Sequence, residues 1–480
     1  MKKHSLFAAV TGCMVSLCTL HNAEVQAQKI PIRKISTDEQ IKARSHLKAV
    51  DFPPLTFAKI KGAPTLTPPT MVTTQYGPVE TRGTGWAYPE FRDMDQDGKK
   101  DLLIGEFGSG LEHGRPVGNF IRVYPNISEN GKGIPAFDDE FYYLRPDNDY
   151  GYGTPLSLWV WCCMGFKPTF ADLNNDGITD IVAGQYNPGD IILFKGTKKG
   201  YMPGDRLFQE GDPLGKKKFE GDDEDINPEN SMYWYYNTVA VADLTGDGLD
   251  DLILGGSCIR ISKNIGTKTD PRFGLRKPLL HTDGSTVASG KNGEQHGGAI
   301  NPVIFDWDND GIPDLLATFA YLGRASATIM FYKGVKQNGE FRFEKGIPLI
   351  TANDGGKALP GSHPAITITD WNGDGVMDIV MGTAVATLND QFDAALSWQW
   401  ELETGIYQLN PGYFTEPRKR RLKKEMEAAD AARKKTGLTE EELDAKRFVS
   451  SKSIFNNAYV KSEYKTLKHV GYVYVFLGKK

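Results

Sequence analysis

The strongest constraint on the fold is a nine-residue pattern that occurs five times in the sequence. Each copy has oxygen-bearing side chains at positions 1, 3, 5 and 9 and glycine at position 6, and a short apolar run follows it. Glycine permits a sharp turn at position 6, and several oxygens around one point suit a hard divalent cation. The copies span residues 93–101, 172–180, 243–251, 306–314 and 370–378. Five copies in one local frame predict a repeat architecture.

The spacing of the copies fits one four-stranded sheet in each repeat. Successive copies begin 79, 71, 63 and 64 residues apart. In the fourth repeat, β-branched and aromatic runs between glycine, proline and asparagine predict strands at residues 302–305, 315–319, 328–332 and 341–350. Sheets repeated around an axis form a β-propeller. We therefore predict an all-β propeller of five blades, with six or seven blades as the alternative if residues 384–470 contain blades without the motif.

The two ends of the chain predict how the ring closes. The last repeat has candidate strands at residues 365–369, 379–382 and 471–476, and no sequence remains for a fourth. Residues 55–62 resemble the fourth strand of the preceding blade. We expect this N-terminal strand to complete the last blade and so protect the sheet edges.

The N-terminus has the pattern of an export signal. Two lysines precede a mostly apolar stretch that ends at Leu20, and small residues at 25–27 predict cleavage after Ala27. A lipid anchor on Cys13 is the alternative, but the apolar run before this cysteine is short. No later segment approaches the ~20 apolar residues of a membrane span. The predicted divisions are a signal peptide at 1–27, an extension at 28–49 and the propeller at 50–480.

The net charge and the cysteine content exclude few classes of function. The net charge of −5 argues against a nucleic-acid-binding protein. An exported chain would be periplasmic, secreted or attached to the cell surface. Export also places the adjacent Cys162 and Cys163 in an oxidising compartment, where they could form a vicinal disulfide, although two buried thiols are the equal alternative. The oligomeric state is not indicated by the sequence.

The motif and its flanking strands resemble the FG-GAP or VCBS repeat family, whose calcium-binding blades also occur in integrin α-chain heads. The resemblance covers roughly residues 50–480. It implies a propeller with up to five structural calcium ions, each held by the side chains at positions 1, 3, 5 and 9 and by the backbone carbonyl at position 7. It implies little about function, because the family includes adhesins, carbohydrate binders and lyase scaffolds.

The resemblance assigns a ligand set to each loop. The third loop departs from the pattern, because the neutral Thr245 stands at position 3, and we expect this site to bind calcium most weakly. A metal-free Asx-turn is the alternative for any one loop, but crowded carboxylates repel one another without a cation. The ligands are Asp93, Asp95, Asp97, Lys99 and Asp101; Asp172, Asn174, Asp176, Ile178 and Asp180; Asp243, Thr245, Asp247, Leu249 and Asp251; Asp306, Asp308, Asp310, Ile312 and Asp314; and Asp370, Asn372, Asp374, Val376 and Asp378.

Propeller topology places the remaining unusual residues on the face opposite these loops. Aromatic rings there could stack on sugar rings, and arginine or histidine could bind carboxylates or sulfates. Packing between blades is the alternative role for any single aromatic residue. The predicted ligand-binding residues are Trp86, Tyr88, Trp159, Trp161, Tyr233, Trp234, Trp398 and Trp400. The predicted acid–base and carboxylate-neutralising residues are His113, Arg115, Tyr235, His296, Arg324 and His363.

The last blade contains a long insertion at about residues 384–470. Residues 416–435 are strongly charged, with alanine, leucine and methionine between the charges, and predict a helix. Thr439 and Glu442 form a capping box that predicts a second helix to about residue 447. The charges predict a solvated surface, with a basic lid over an anionic ligand as the alternative.

Three functions fit these features. The first is a binding propeller that recognises a glycan or a protein through its aromatic face. The second is a polysaccharide lyase for uronic-acid glycans, which needs a cation to neutralise the carboxylate and a histidine or tyrosine to take the proton beside it. The third is a surface scaffold or adhesion protein. Hydrolase motifs are absent from the sequence, and binding is favoured because aromatic residues outnumber convincing acid–base groups.

Overall fold

The computed structural model describes most of the predicted propeller. The described residues are 29–31, 52–74, 77–81, 86–107, 110–112, 115–117, 119–129, 132–138, 141–147, 156–158, 165–185, 189–210, 237–256, 258–288, 300–319, 328–353, 358–359, 362–389 and 466–480. All regular structure in these residues is β-strand, so the all-β prediction is confirmed.

Five antiparallel sheets form the blades. In each blade the inner strand pairs with the second strand, the second with the third and the third with an outer strand. In chain order the strands are Ala87–Arg92, Asp101–Glu106, Ile121–Tyr124 and Tyr142–Leu144; Thr169–Ala171, Asp180–Gly184, Ile191–Phe194 and Asp205–Arg206; Val239–Ala242, Asp251–Leu254, Arg260–Ser262 and Lys277–Pro278; Ile300–Phe305, Asp314–Phe319, Met330–Tyr332 and Ile347–Pro348; and Ser362–Thr369, Asp378–Asn389 and Thr466–Phe476.

Short additional strands decorate these sheets. Lys29–Pro31 adds a fifth strand to the first blade by pairing with its outer strand. The predicted fourth strand of the fourth blade is divided, because Glu340–Phe343 turns back on Gly334–Gln337 and only Ile347–Pro348 reaches the third strand. The other two-stranded pairs are Gly110–Glu112 with Arg115–Val117, Gly196–Thr197 with Gly200–Tyr201, Thr73–Thr74 with Gly77–Pro78, and Thr65–Leu66 with Gly478–Lys479.

N-terminal residues complete the last blade, as predicted, but the residues differ from those expected. Thr70–Met71 and Glu80–Thr81 pair with successive parts of the third strand, Thr466–Phe476. The expected strand at 55–62 instead pairs through Leu55–Phe57 with Ile350–Ala352, beyond the outer strand of the fourth blade. Both segments are short, so their pairing depends on tertiary packing more than on their own sequence.

The hydrophobic core consists of layers between neighbouring blades. Five clusters of buried side chains each join one pair of blades, including the last and the first, so the ring is closed. Side chains of a second strand alternate between two such layers. In the first blade, for example, Leu102 and Ile104 pack towards the fifth blade, whereas Leu103 packs towards the second. Burial on both faces explains why the second strand of each blade is a continuous apolar run.

One position of the second strand sets the distance between blades. The fifth residue counted from the start of this strand is glycine in four blades, although in the third blade it directly follows the strand. A Cβ atom built there would lie 1.6–2.1 Å from a carbonyl oxygen at the start of the next blade. In the fourth blade Thr318 stands at this position, and its hydroxyl donates a hydrogen bond to the Pro364 carbonyl. The four glycines are Gly105, Gly184, Gly255 and Gly382. Backbone contact at these points requires the absence of a side chain.

Polar side chains also join adjacent inner strands. The hydroxyl of Thr169 donates a hydrogen bond to the Val239 carbonyl over 2.6 Å. The amide of Asn301 donates to the Pro364 carbonyl over 3.1 Å. These bonds satisfy carbonyl groups near the axis that no strand of their own blade reaches.

Several predicted features lie outside the described residues. They are the signal peptide, both helices of the insertion, and Cys162 and Cys163. Cys258 is described and is a buried free thiol, and burial raises its pKa. Within the described ranges, no helix long and apolar enough to cross a membrane was found.

We predict that replacing Gly382 by alanine destabilises the ring at its closure. The added Cβ would lie 2.1 Å from the Ala87 carbonyl oxygen, so the first and fifth blades must move apart at a cost of about 1–3 kcal/mol. Urea unfolding of the variant checks this. The control is Gly274→Ala, whose Cβ would have its nearest neighbour at 3.4 Å. Equal unfolding midpoints for the two variants would contradict the proposed close contact.

Candidate functional site

The five acidic loops share one backbone conformation. Residues at positions 4 and 6 have positive φ angles, of 53° to 74° and 81° to 86° respectively. Position 6 is always glycine, whereas position 4 is glutamine, asparagine or glycine. Asparagine and glycine adopt this left-handed conformation most readily. Position 4 is therefore a second signature of the turn that the sequence pattern did not include.

Carboxylates at positions 1 and 5 stabilise this turn by accepting hydrogen bonds from its backbone amides. The position-1 carboxylate accepts a hydrogen bond from the glycine amide at position 6 in every loop, over 2.8–3.0 Å. The position-5 carboxylate accepts one from the amide at position 7, over 2.8–3.0 Å. These are Asx-turn contacts. They direct several carboxylates towards one centre, since each uses only part of its lone-pair capacity.

The aspartate at position 9 connects each loop to the rest of its blade. One oxygen accepts an amide hydrogen bond from position 2 or 3 of its own loop. The other oxygen accepts one, over 2.7–2.9 Å, from the chain that leaves the third strand. All five position-9 side chains are buried. The donors of the second bond are Asn126, Gly196, Asn264, Gly334 and Gly478.

Two loops bring three carboxylates close enough to share one cation. Asp93, Asp95 and Asp101 in the first blade can place one oxygen each within 4.8 Å of one another. A corresponding group in the fourth blade contains Asp308 and Asp314 together with Asp306. Hard oxygen donors in this arrangement fit calcium.

Electrostatic crowding is visible in the pKa values of the loops. Burial, followed by the charge of neighbouring carboxylates, raises the pKa of the position-9 aspartates Asp180 and Asp378. Burial also raises the pKa of Asp314 to about 6, and the charge of Asp308 contributes. A cation beside these groups would favour their charged form.

The remaining loops carry fewer carboxylates. In the second and fifth blades the amide of Asn174 or Asn372 donates a hydrogen bond to the position-5 aspartate, over 2.9 and 3.0 Å. The amide oxygens of the same side chains accept from the position-5 backbone amide. In the third blade the Thr245 amide donates to Asp251. The predicted weaker binding at this loop stays a prediction.

A lysine enters the loop of the fourth blade. The ammonium group of Lys333 forms ion pairs with the position-3 and position-5 carboxylates, those of Asp308 and Asp310. Sequence reasoning missed this residue because it directly follows the third strand, 25 and 23 positions along the chain from the two carboxylates. In the first blade Lys99 forms an ion pair with Asp97, over 2.9 Å.

The opposite face is described at three predicted residues, and all three are buried. Trp86 is 3% exposed and Tyr88 2% exposed. The ring of Trp86 stacks on that of His363 with centroids 3.7 Å apart, and it also contacts Phe107. Trp86 and Tyr88 pack with residues of the fifth blade. Their burial favours the alternative role of packing between blades over stacking on a ligand.

The backbone of Arg115 lies in the strand Arg115–Val117, next to the second-to-third-strand connection where it was expected. The other predicted residues of this face lie outside the described part of the chain. They are His113, Trp159, Trp161, Tyr233, Trp234, Tyr235, His296, Arg324, Trp398 and Trp400. Their roles stay predictions.

A titratable group that sequence reasoning missed lies near the axis. Glu90 on the inner strand of the first blade accepts a hydrogen bond from the Thr367 hydroxyl of the fifth blade, over 3.2 Å. Burial raises the pKa of Glu90 to about 7, while Lys167, Arg92 and the Thr367 hydrogen bond oppose this rise. Burial also lowers the pKa of Lys167. No local motif marks the group of Glu90, Lys167 and Thr367, because three different blades contribute to it.

Comparison with known proteins supports the repeat. Residues 306–381 match the family model for the FG-GAP-like repeat, which confirms the resemblance seen in the motif. The sequence matches none of the curated proteins with which it was compared.

Two solved structures are similar to the chain. One is the Photorhabdus luminescens Tc holotoxin pore, with 14% identity and a TM-score of 0.31 over 69% of this chain. The match spans 15% of the toxin chain's length. The other is a GH43_1 enzyme from Xanthomonas citri, with 11% identity, a TM-score of 0.34 and coverage of 64% of this chain and 85% of that chain. Similarity at this level carries no information on activity.

We predict that Glu90 makes stability depend on pH between about 4.5 and 7. Its carboxyl has an ordinary pKa of 4.5, and the folded value is about 7, so the fold favours the protonated form. This contribution is complete below pH 4.5 and is lost as the pH rises through 7, at a cost of up to about 3 kcal/mol.

The measurement is chemical unfolding of the wild type and of Glu90→Gln across this range. The difference in unfolding free energy between them should shift in favour of the variant as the pH rises. Lys167 and Arg92 are present in both proteins and do not contribute to that shift directly. Glu344→Gln, at an exposed position, is the control. A difference that stays constant with pH would show that Glu90 titrates normally.

Proposed function

We propose that this chain, a five-bladed β-propeller with an FG-GAP-like repeat, is an exported module that calcium stabilises and that binds a glycan or a protein on the face opposite its acidic loops. The observation that carries the proposal is the repetition of one loop geometry at the same edge of all five blades. In this proposal the metal stabilises the fold, and the face opposite the acidic loops recognises the glycan or protein.

Three properties of the loops support calcium. The donors are carboxylate, amide and hydroxyl oxygens, which this hard cation prefers. The position-9 carboxylates are buried and crowded, and a divalent cation would offset both penalties. Exported proteins meet calcium at the concentrations that weak extracellular sites require. When bound, calcium would supply positive charge at the centre of each loop.

Binding is favoured over lyase chemistry on the described residues. A proton-abstracting histidine must reach its substrate, whereas His363 is 2% exposed and stacks on Trp86. This leaves His113 and His296 as the candidate histidines of a lyase. Recognition would depend on the aromatic residues of the connections before the second and third blades, with Trp159 and Trp234 as the first candidates for stacking on a sugar ring.

We predict that removing calcium lowers the melting temperature by about 5–10 °C, because several weak sites each add a linkage contribution to stability. Differential scanning calorimetry in 2–5 mM calcium (about ten times a typical extracellular dissociation constant) and in excess chelator measures this. Asp374→Asn should reduce the calcium-dependent shift. Asp205→Asn, at an exposed position outside the loops, should preserve it. An unchanged melting curve in chelator would refute calcium stabilisation.

We predict that the calcium-loaded protein is retarded in a gel containing one acidic polysaccharide, without a rise in the absorbance of unsaturated uronates. Trp234→Ala should abolish the retardation. Ile134→Ala should not, because Ile134 is 64% exposed on the connection between the third and outer strands, on the same face as the acidic loops. An absorbance rise that His296→Ala abolishes would establish the lyase instead. A result with neither retardation nor a rise in absorbance, for any polysaccharide, would indicate a protein partner.

A further inference from the structure

We infer that Lys333 is the resident cation of the fourth-blade loop, so that this loop binds calcium far more weakly than its carboxylates suggest. The inference rests on the proposed calcium binding by the other loops. It concerns only the residues of this chain that compete for the same position.

The contacts of Lys333 carry the inference. Its ammonium group bridges Asp308 at position 3 and Asp310 at position 5, two of the four side chains that the family pattern assigns to the metal. Asp308 is 7% exposed and belongs to the compact carboxylate group of this loop. A calcium ion that used both carboxylates would have to displace the ammonium and leave it beside a divalent cation.

Lysine stands at the same sheet position in three blades, but among the described residues only Lys333 forms ion pairs with its loop. Lys333 directly precedes Gly334, whose amide binds the position-9 aspartate. The equivalent residues, one before the corresponding donor in each blade, are Pro125, Lys195, Lys263 and Leu477 in blades one, two, three and five. In the described part of the chain, neither Lys195 nor Lys263 forms an ion pair with a loop carboxylate. The first and fifth blades have proline and leucine, not lysine, at the equivalent position.

The first-blade loop is the natural counterpart. It has aspartate at positions 1, 3, 5 and 9, like the fourth-blade loop, but Pro125 stands where the fourth blade has Lys333. Its own lysine, Lys99, forms an ion pair with Asp97 at position 5. One carboxylate oxygen each of Asp93, Asp95 and Asp101 lies within 4.8 Å of the other two. Two loops with the same acidic residues should thus differ in calcium affinity.

The ion pairs of Lys333 supply positive charge to this loop from within the chain, beside two of its carboxylates. The other loops must obtain equivalent compensation from solution.

The test is calcium stoichiometry, measured by isothermal titration of the decalcified mature protein. Lys333→Met keeps the length of the side chain and removes the charge, so the variant should bind one calcium more than the wild type. Lys345→Met is the control, because Lys345 pairs with Asp283 on an exposed turn outside the loops, and its stoichiometry should equal that of the wild type.

A second pair of variants makes the test independent of how Lys333→Met folds. Asp93→Asn in the first blade should remove one calcium, whereas Asp306→Asn in the fourth should leave the stoichiometry unchanged. Equal, non-zero stoichiometry for the wild type and Lys333→Met, or loss of one calcium in Asp306→Asn, would overturn the role of Lys333 and leave the calcium proposal intact. Absence of calcium binding in every protein would overturn the proposed calcium binding, and the inference with it.

Discussion

A buried aspartate at the end of each loop is the interaction on which the blades depend. Its carboxylate accepts one amide hydrogen bond from its own loop and one from the chain leaving the third strand, so a single side chain fixes the turn against the sheet. The same group is taken out of water among other carboxylates, which raises its pKa in blades two to five. A charge in such a position requires compensation. The same carboxylate therefore holds the turn against the sheet and would take part in the proposed metal site.

The parts of the fold that follow from local sequence were predictable. The acidic nonapeptide specifies a turn between two strands, and its recurrence specifies how many such units exist. The apolar runs after each copy are buried on both faces, which is why they read as continuous hydrophobic segments such as Leu102–Ile104. Even the glycine that ends four of these runs has a local signature, although its reason lies in the neighbouring blade, where a carbonyl group occupies the space of a side chain.

Features that depend on distant parts of the chain were not predictable. The strand that closes the ring joins residues about 400 positions apart, through segments of two residues each, and nothing in so short a segment identifies its partner. Trp86 was expected at a ligand face because it precedes an inner strand. Its burial against His363 depends on how the fifth blade meets the first. Burial likewise raises the pKa of Glu90, and two of the groups that oppose the rise, Lys167 and Thr367, belong to two neighbouring blades.

The loops also show why a motif match alone does not determine metal content. The first and fourth blades have the same four aspartates, and the residue that distinguishes them lies 23 to 25 positions from the carboxylates it contacts. A strand end that returns to the loop can present an ammonium group there, or it can present proline or leucine. If the proposed calcium binding holds, the charge of a loop is balanced either by a side chain of the protein or by a cation from solution. The source of this charge differs between blades, although the backbone conformation of the turn is the same in all five.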